Sequence, residues 1–176
     1  LRFFKKKGYD VFAVCSPGKW LESMEKEGVT VKEITIKRNI FSPLSDLASL
    51  VKLFFYFKKE KFDVVLTFTP KPGLSGQLAA KMVGVPLVVN TIFGFYFHEH
   101  TSFWPRKFFI GIEKLAARCS DFIFFRNQED FKTAQKERII KNGQGEYIGD
   151  GIDTVKYNAS RFSPEFIAKK KQELGI

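Results

Sequence analysis

Cysteine is scarce. Cys15 and Cys119 are the only two in 176 residues, each inside an apolar, strand-like run. Neither stands at C-x-x-C or zinc-ligand spacing, so they read as buried thiols of a reducing compartment rather than a disulfide framework. Histidine is equally rare: His98 and His100 share one stretch, and H-x-H without a third ligand is not a zinc set, so no metal is expected. No apolar run approaches the ~20 residues of a spanning helix, and no signal peptide is visible. Neither G-x-G-x-x-G nor G-x-x-x-x-G-K-[ST] occurs, which removes the dinucleotide and P-loop readings. Acidic residues are in deficit, 19 against 29 Lys and Arg, for a net charge of +10. That balance suits an anionic partner, whether nucleic acid, phosphorylated substrate or anionic lipid; a lysine-rich solvated surface is the plain alternative.

Phenylalanine is abundant, at 21 residues, and hydrophobic residues make up 44% of the chain, enough for one globular domain. Rings left outside the core would mark a partner or a membrane surface. The opening LRFFKKKG reads as the last turns of a helix closed by Gly8, which places a first strand upstream; a polybasic targeting segment is the other reading.

Strand-like and helix-like segments then alternate. Strands are expected at Tyr9–Cys15, Val29–Ile36, Phe62–Thr69 (buried), Pro86–Ile92, Ser120–Phe125 and Glu146–Ile148. Helices are expected at Lys19–Glu27, Ser42–Lys61, Pro72–Val83, Trp104–Arg118, Gln128–Ile139 and Ser163–Leu174. In Ser42–Lys61, Leu44, Leu47, Val51 and Phe54 fall on one face, with Leu50, Leu53 and Phe57 alongside. That face would cover a sheet, with lipid contact near Phe55–Lys61. The alternation predicts an α/β fold with a doubly wound, mostly parallel, Rossmann-like sheet over residues 1–148, followed by a helical, basic tail.

In such folds ligands sit beyond the carboxyl ends of the strands. Three ends draw attention. In DVVLTFTPKPGLSG, Thr67, Thr69, Lys71 and Gly73 crowd a helix start suited to phosphate; the plain reading is a Thr69 cap, a first-turn Pro72 and glycines for helix–sheet packing. In TIFGFYFHEH, His98 and His100 are acid, base or phosphate-contact candidates, or two solvated loop residues. Phe95, Phe97, Phe103 and Trp104 with Arg106 and Lys107 look like a membrane-interface surface. In RNQED, Asn127 is a helix cap with Asp130 as its partner, or a ligand contact.

Read together, KKKGYDVFAVCSPG, TFTPKPGLSGQLAAKMVGVPLVVNTIFGFYFHEH, FRNQEDFKTAQKERII and YIGDGID resemble the N-terminal domain of family-four retaining glycosyltransferases of GT-B fold, of the bacterial surface-polysaccharide type. The resemblance implies an acceptor-binding domain of an enzyme that moves a sugar from a nucleotide-sugar to a lipid-linked (polyprenyl-phosphate) or glycan acceptor. Thr67, Thr69, Lys71, Gly73, Gly94, His98 and Asn127 would be substrate-binding. No cofactor beyond the nucleotide-sugar cosubstrate is implied, and the donor would be held by a C-terminal domain. The protein would lie on the inner face of the cell membrane, against an anionic surface, with no nucleic-acid partner. Two positions depart from the family: Phe93 stands where a His usually precedes Gly94, and Asp150 stands where G-N-G-[IV]-D has Asn. The chain by itself is expected to be inactive. The alternatives are a membrane-docking subunit of a split transferase and another GT-B enzyme such as a nucleotide-sugar epimerase.

Overall fold

The computed structural model describes residues 1–36, 42–68 and 70–176, and the side chains at 70, 71, 72 and 159 lie outside that description. The elements run α1 (Arg2–Lys6), β1 (Phe12–Cys15), α2 (Leu21–Lys26), β2 (Thr30–Glu33), α3 (Pro43–Glu60), β3 (Val64–Phe68), α4 (Pro70–Val83), β4 (Leu87–Ile92), α5 (Phe103–Arg118), β5 (Phe122–Phe125), α6 (Gln128–Lys136), β6 (Gly145–Tyr147) and α7 (Pro164–Leu174). Local chemistry sets several boundaries. Pro43 occupies the first turn of α3, where a missing N–H costs nothing. Gly84, at φ +79°, ends α4, and the N–H of Val85 returns to the carbonyl of Ala80 at 3.0 Å, closing the last turn. Ser163 caps α7 by accepting from the Phe166 N–H at 3.2 Å.

Every strand pair among the described residues is parallel. β1 pairs with β2, and the second sheet has the order β3-β4-β5-β6, in register Val64↔Leu87, Val89↔Phe122 and Ile123↔Gly145. The described strands therefore form two sheets. They abut through side chains: the rings of Phe12 on β1 and Phe62, just before β3, meet edge-on at 5.1 Å.

The crossovers from β3 to β6 all run one way across the sheet, so right-handedness puts α4, α5 and α6 on one face. The core lies under that face. One cluster joins Leu53 and Phe57 of α3 and Ala79 and Ala80 of α4 to Ile34, Val65 and Val88. The other joins Ile110 and Ala117 of α5 and Ala134 of α6 to Ile92, Ile123 and Phe125. β3 is therefore buried on one side only. Val65 and Thr67 face the helices, while Val64, Leu66 and Phe68 are 40–48% exposed. The expected burial of this strand holds for one face, because no described element covers the second.

Two further expectations are corrected. On α3 the core face carries Leu50, Leu53 and Phe57, whereas Leu44, Leu47, Val51 and Phe55 form an exposed stripe. Packing against α4 selected between two apolar stripes that periodicity alone made equivalent. Phe95 and Phe97 belong to the core rather than to an interface. Phe97 is buried, and the two rings stack at 4.9 Å over the second cluster. Phe103 and Trp104 do remain exposed, in the first turn of α5.

Gly145 shows how tightly the last strand is fitted. A Cβ there would lie 2.7 Å from the carbonyl oxygen of Ile123 and 3.0 Å from the Phe125 ring. Gly145→Ala is expected to cost about 1–3 kcal/mol by overpacking, read as a lower urea midpoint in circular dichroism; an unchanged midpoint would contradict the fit.

Candidate active-site edge at the strand ends

The carboxyl ends of β3, β4 and β5 lie side by side, and the residues just beyond them build a floor. Phe68 closes β3 and Phe93 follows β4; their rings meet at 6.2 Å in an edge-to-face pair. Arg126 follows β5, its backbone held by an N–H to the carbonyl of Ile92 at 3.1 Å. Its guanidinium lies over the Phe93 ring, 4.3 Å from the centroid, and its Nε donates to the carboxylate of Asp150. Phe93 and Phe68 are both more than two-fifths exposed. Among the described residues, the result is an exposed aromatic shelf carrying the Arg126 guanidinium, with the exposed Asp150 carboxylate as its partner. A guanidinium over a ring contributes about 0.5–1 kcal/mol at an exposed site, enough to bias its orientation while leaving donors for an incoming anion.

The expected site residues divide. Gly94 follows Phe93, and a Cβ there would come 4.0 Å from Oδ2 of Asp130. Asn127 is the cap of α6: its Oδ1 accepts from the Asp130 N–H and its Nδ2 donates to Oδ2 of Asp130, both at 2.6 Å. Thr67 points inward, buried, with its hydroxyl donating to Oδ1 of Asn90 at 2.9 Å. Gly73 is buried in the first turns of α4, close to the same Asn90 oxygen. At Gly76 a Cβ would meet Cγ2 of Thr67 at 3.0 Å. Thr69 lies outside the described residues, and Lys71 is placed in α4 with its side chain outside them. His98 and His100 sit in an exposed turn. The His100 N–H donates to Nδ1 of His98 at 3.2 Å, and the His98 N–H donates to Oγ1 of Thr101 at 2.9 Å.

Three residues absent from the sequence expectation matter here: Phe68, Arg126 and Glu113. Arg126 carried a readable signal, a cation directly after an apolar strand of a parallel sheet. Glu113 carried another, a carboxylate at the core-facing period of a helix between Ile110 and Ala116–Ala117. Phe68 carried none, because its exposure depends on which face of β3 the helices cover. A depression of about 210 Å³ lies between Gln135 and Gly145 at the amino end of β6, away from this edge.

Over residues 1–127 the sequence matches the family described as glycosyl transferase 4-like. Among curated proteins it is similar to the UDP-Gal:alpha-D-GlcNAc-diphosphoundecaprenol alpha-1,3-galactosyltransferase of Escherichia coli. That match is 34% identical over 123 residues, 70% of this chain and 32% of that protein. It is also similar to the capsular polysaccharide biosynthesis glycosyltransferase CapM of Staphylococcus aureus, at 37% identity over 122 residues, 68% of this chain and 30% of that protein. The chain thus spans about a third of the length of these curated relatives. Among solved structures it resembles a glycosyltransferase from Rickettsia africae, with a TM-score of 0.71 at 17% identity over 99% of this chain and 43% of that one. It also resembles MurG of Acinetobacter baumannii, with a TM-score of 0.58 at 15% identity over 90% of this chain and 41% of that one. These likenesses show the fold: a parallel, Rossmann-like half of a GT-B architecture.

Proposed function

The chain belongs to the glycosyl transferase 4-like family, and on that footing we propose that it is the acceptor-binding part of a transferase in cell-surface polysaccharide synthesis. The enzyme moves a sugar from a nucleotide-sugar to a lipid-linked or glycan acceptor. The observation that carries the reading is the Phe68–Phe93–Arg126 shelf at the strand ends. Two rings suit the apolar face of a sugar or the first prenyl unit. The guanidinium suits a diphosphate, the group named in the acceptor of the Escherichia coli relative. Donor binding, and stabilisation of charge on the leaving nucleotide, fall to a second domain. Phe93 offers no proton, so the shelf binds and orients without acid–base work.

The exposed stripe on α3 (Leu44, Leu47, Val51 and Phe55, beside Lys52, Lys58 and Lys59) supports placement on an anionic membrane surface, the inner leaflet in this reading. Phe103 and Trp104, beside Lys107, extend the same character to α5, in the helix layer on the same face of the sheet. Among the described residues no helix is long and apolar enough to cross a membrane.

The test is a titration of the chain with a short-chain prenyl-diphosphate GlcNAc in detergent, followed by amide chemical shifts. Shifts are expected at Phe68, Phe93 and Arg126. Arg126→Ala should weaken binding about 10- to 100-fold, the effect of losing a charge-assisted contact of about 1.5–3 kcal/mol. Equal affinity for the corresponding prenol, or no loss in Arg126→Ala, would overturn the assignment of the shelf.

A further inference from the structure

Beneath the strand ends, on the helix-covered side, lies a polar cluster that acceptor binding does not use. Gln77 of α4 is fully buried, and neither its amide nitrogen nor its amide oxygen has a hydrogen-bond partner. Asn90 of β4 is buried and accepts from Thr67. Glu113 of α5 is 8% exposed. All three line one small cavity of about 10 Å³ between α4, β4 and α5, with Leu74, Ile92 and Ala116 beside them. That volume is close to one water, and a water needs two to four polar partners, which this cavity supplies. A buried amide with neither end paired is strongly disfavoured, so the Gln77 side chain itself points to an occupant that both donates and accepts.

We propose that Gln77, Asn90 and Glu113 form an internal site for a single water molecule, and that Glu113 is a positioning residue which, through this water, ties α5 to the carboxyl ends of β3 and β4. The connection reaches the surface by short steps. Asn90 holds Thr67 on β3, and the same Asn90 oxygen stands 3.6 Å from where a Cβ on Gly73 would lie, in the first turns of α4. The protonation of Glu113 therefore bears on the geometry of the strand ends.

Burial, and next the nearby carboxylate of Asp130, push the Glu113 carboxyl up to about 7. Among the described residues, Asp130 of α6 is the titratable group that faces it; α4 presents Leu74 and Gln77, and β4 presents Asn90, Thr91 and Ile92, none of which titrates. With the folded value raised above the ordinary 4.5, the neutral acid favours the folded chain. Its contribution is complete below about 4.5 and is lost as pH rises to about 7. The neutral acid donates to the water. The carboxylate cannot, and it sits beside a like charge.

The experiment uses the isotopically labelled chain and needs no substitution for its main reading. The side-chain carboxyl signal of Glu113 is followed from pH 5 to 9. Its midpoint is expected near 7, and the amides of Thr67, Gly73 and Asn90 are expected to move with the same midpoint. At pH 6 a long-lived water should give a cross-peak to the Gln77 side-chain amide. Glu113→Gln should hold the low-pH amide pattern across the whole range. A midpoint in the ordinary carboxylate range, amides that ignore the Glu113 titration, or no water at the Gln77 amide would each overturn the proposal. None of these outcomes touches the acceptor-binding reading, because the measurement contains no acceptor.

Discussion

Phe125→Ala is expected to remove about 3–5 kcal/mol of stability, out of the roughly 5–15 kcal/mol that a domain of this kind has in total. Phe125 is wholly buried at the last position of β5. Its ring meets Phe95 at 6.3 Å and Phe131 at 5.4 Å, so it pins both the loop after β4 and the first turns of α6. Its carbonyl accepts from the Ile148 N–H at 2.9 Å, on the path to Asp150. Truncation leaves a cavity directly behind Arg126, so the shelf should lose order together with the fold. Urea unfolding followed by circular dichroism measures the loss. Phe124→Ala is the control: Phe124 is half-buried on the opposite face of the same strand and should cost clearly less. Equal costs would mean that the second face of the sheet is covered in solution.

The second large effect is expected at the membrane. Leu47→Glu, Phe55→Glu and Trp104→Glu together should abolish sedimentation with phosphatidylglycerol vesicles while leaving the unfolding midpoint unchanged. The three side chains are 58–80% exposed, so folding does not depend on their burial. Inserting an apolar side chain contributes about 1.5–3 kcal/mol, so each loss should reduce partitioning roughly tenfold or more. Lys58→Glu and Lys59→Glu should act differently. They remove the preference for anionic over neutral vesicles and the sensitivity to salt, since each lysine near the surface contributes about 1 kcal/mol and such contacts are screened. Unchanged vesicle binding in the triple variant would overturn the membrane assignment of α3 and α5 without touching the strand-end shelf.

Much of the fold was legible in the residues. Alternating strand and helix periods announced a parallel α/β sheet, and Pro43, Gly84, Asn127 and Ser163 each mark a helix end by their own chemistry. The candidate edge was legible too, because parallel strands expose their carboxyl ends together. The side chains at that edge were less so. Thr67 reads as a strand-end polar group in sequence, yet the alternation of β3 turns it into the core.

The sequence by itself determined the class of fold, most element boundaries and the positive, aromatic character of the surface. These follow from local periodicity, caps and composition, which neighbours in space do not alter. Only the tertiary structure decided which stripe of α3 packs and which stays exposed, that Phe95 and Phe97 are core, and that Arg126 lies over Phe93. It alone brought Gln77, Asn90 and Glu113 to one cavity. Each of these depends on side chains far apart in the chain meeting across a sheet, where packing selects among faces that the sequence leaves equivalent.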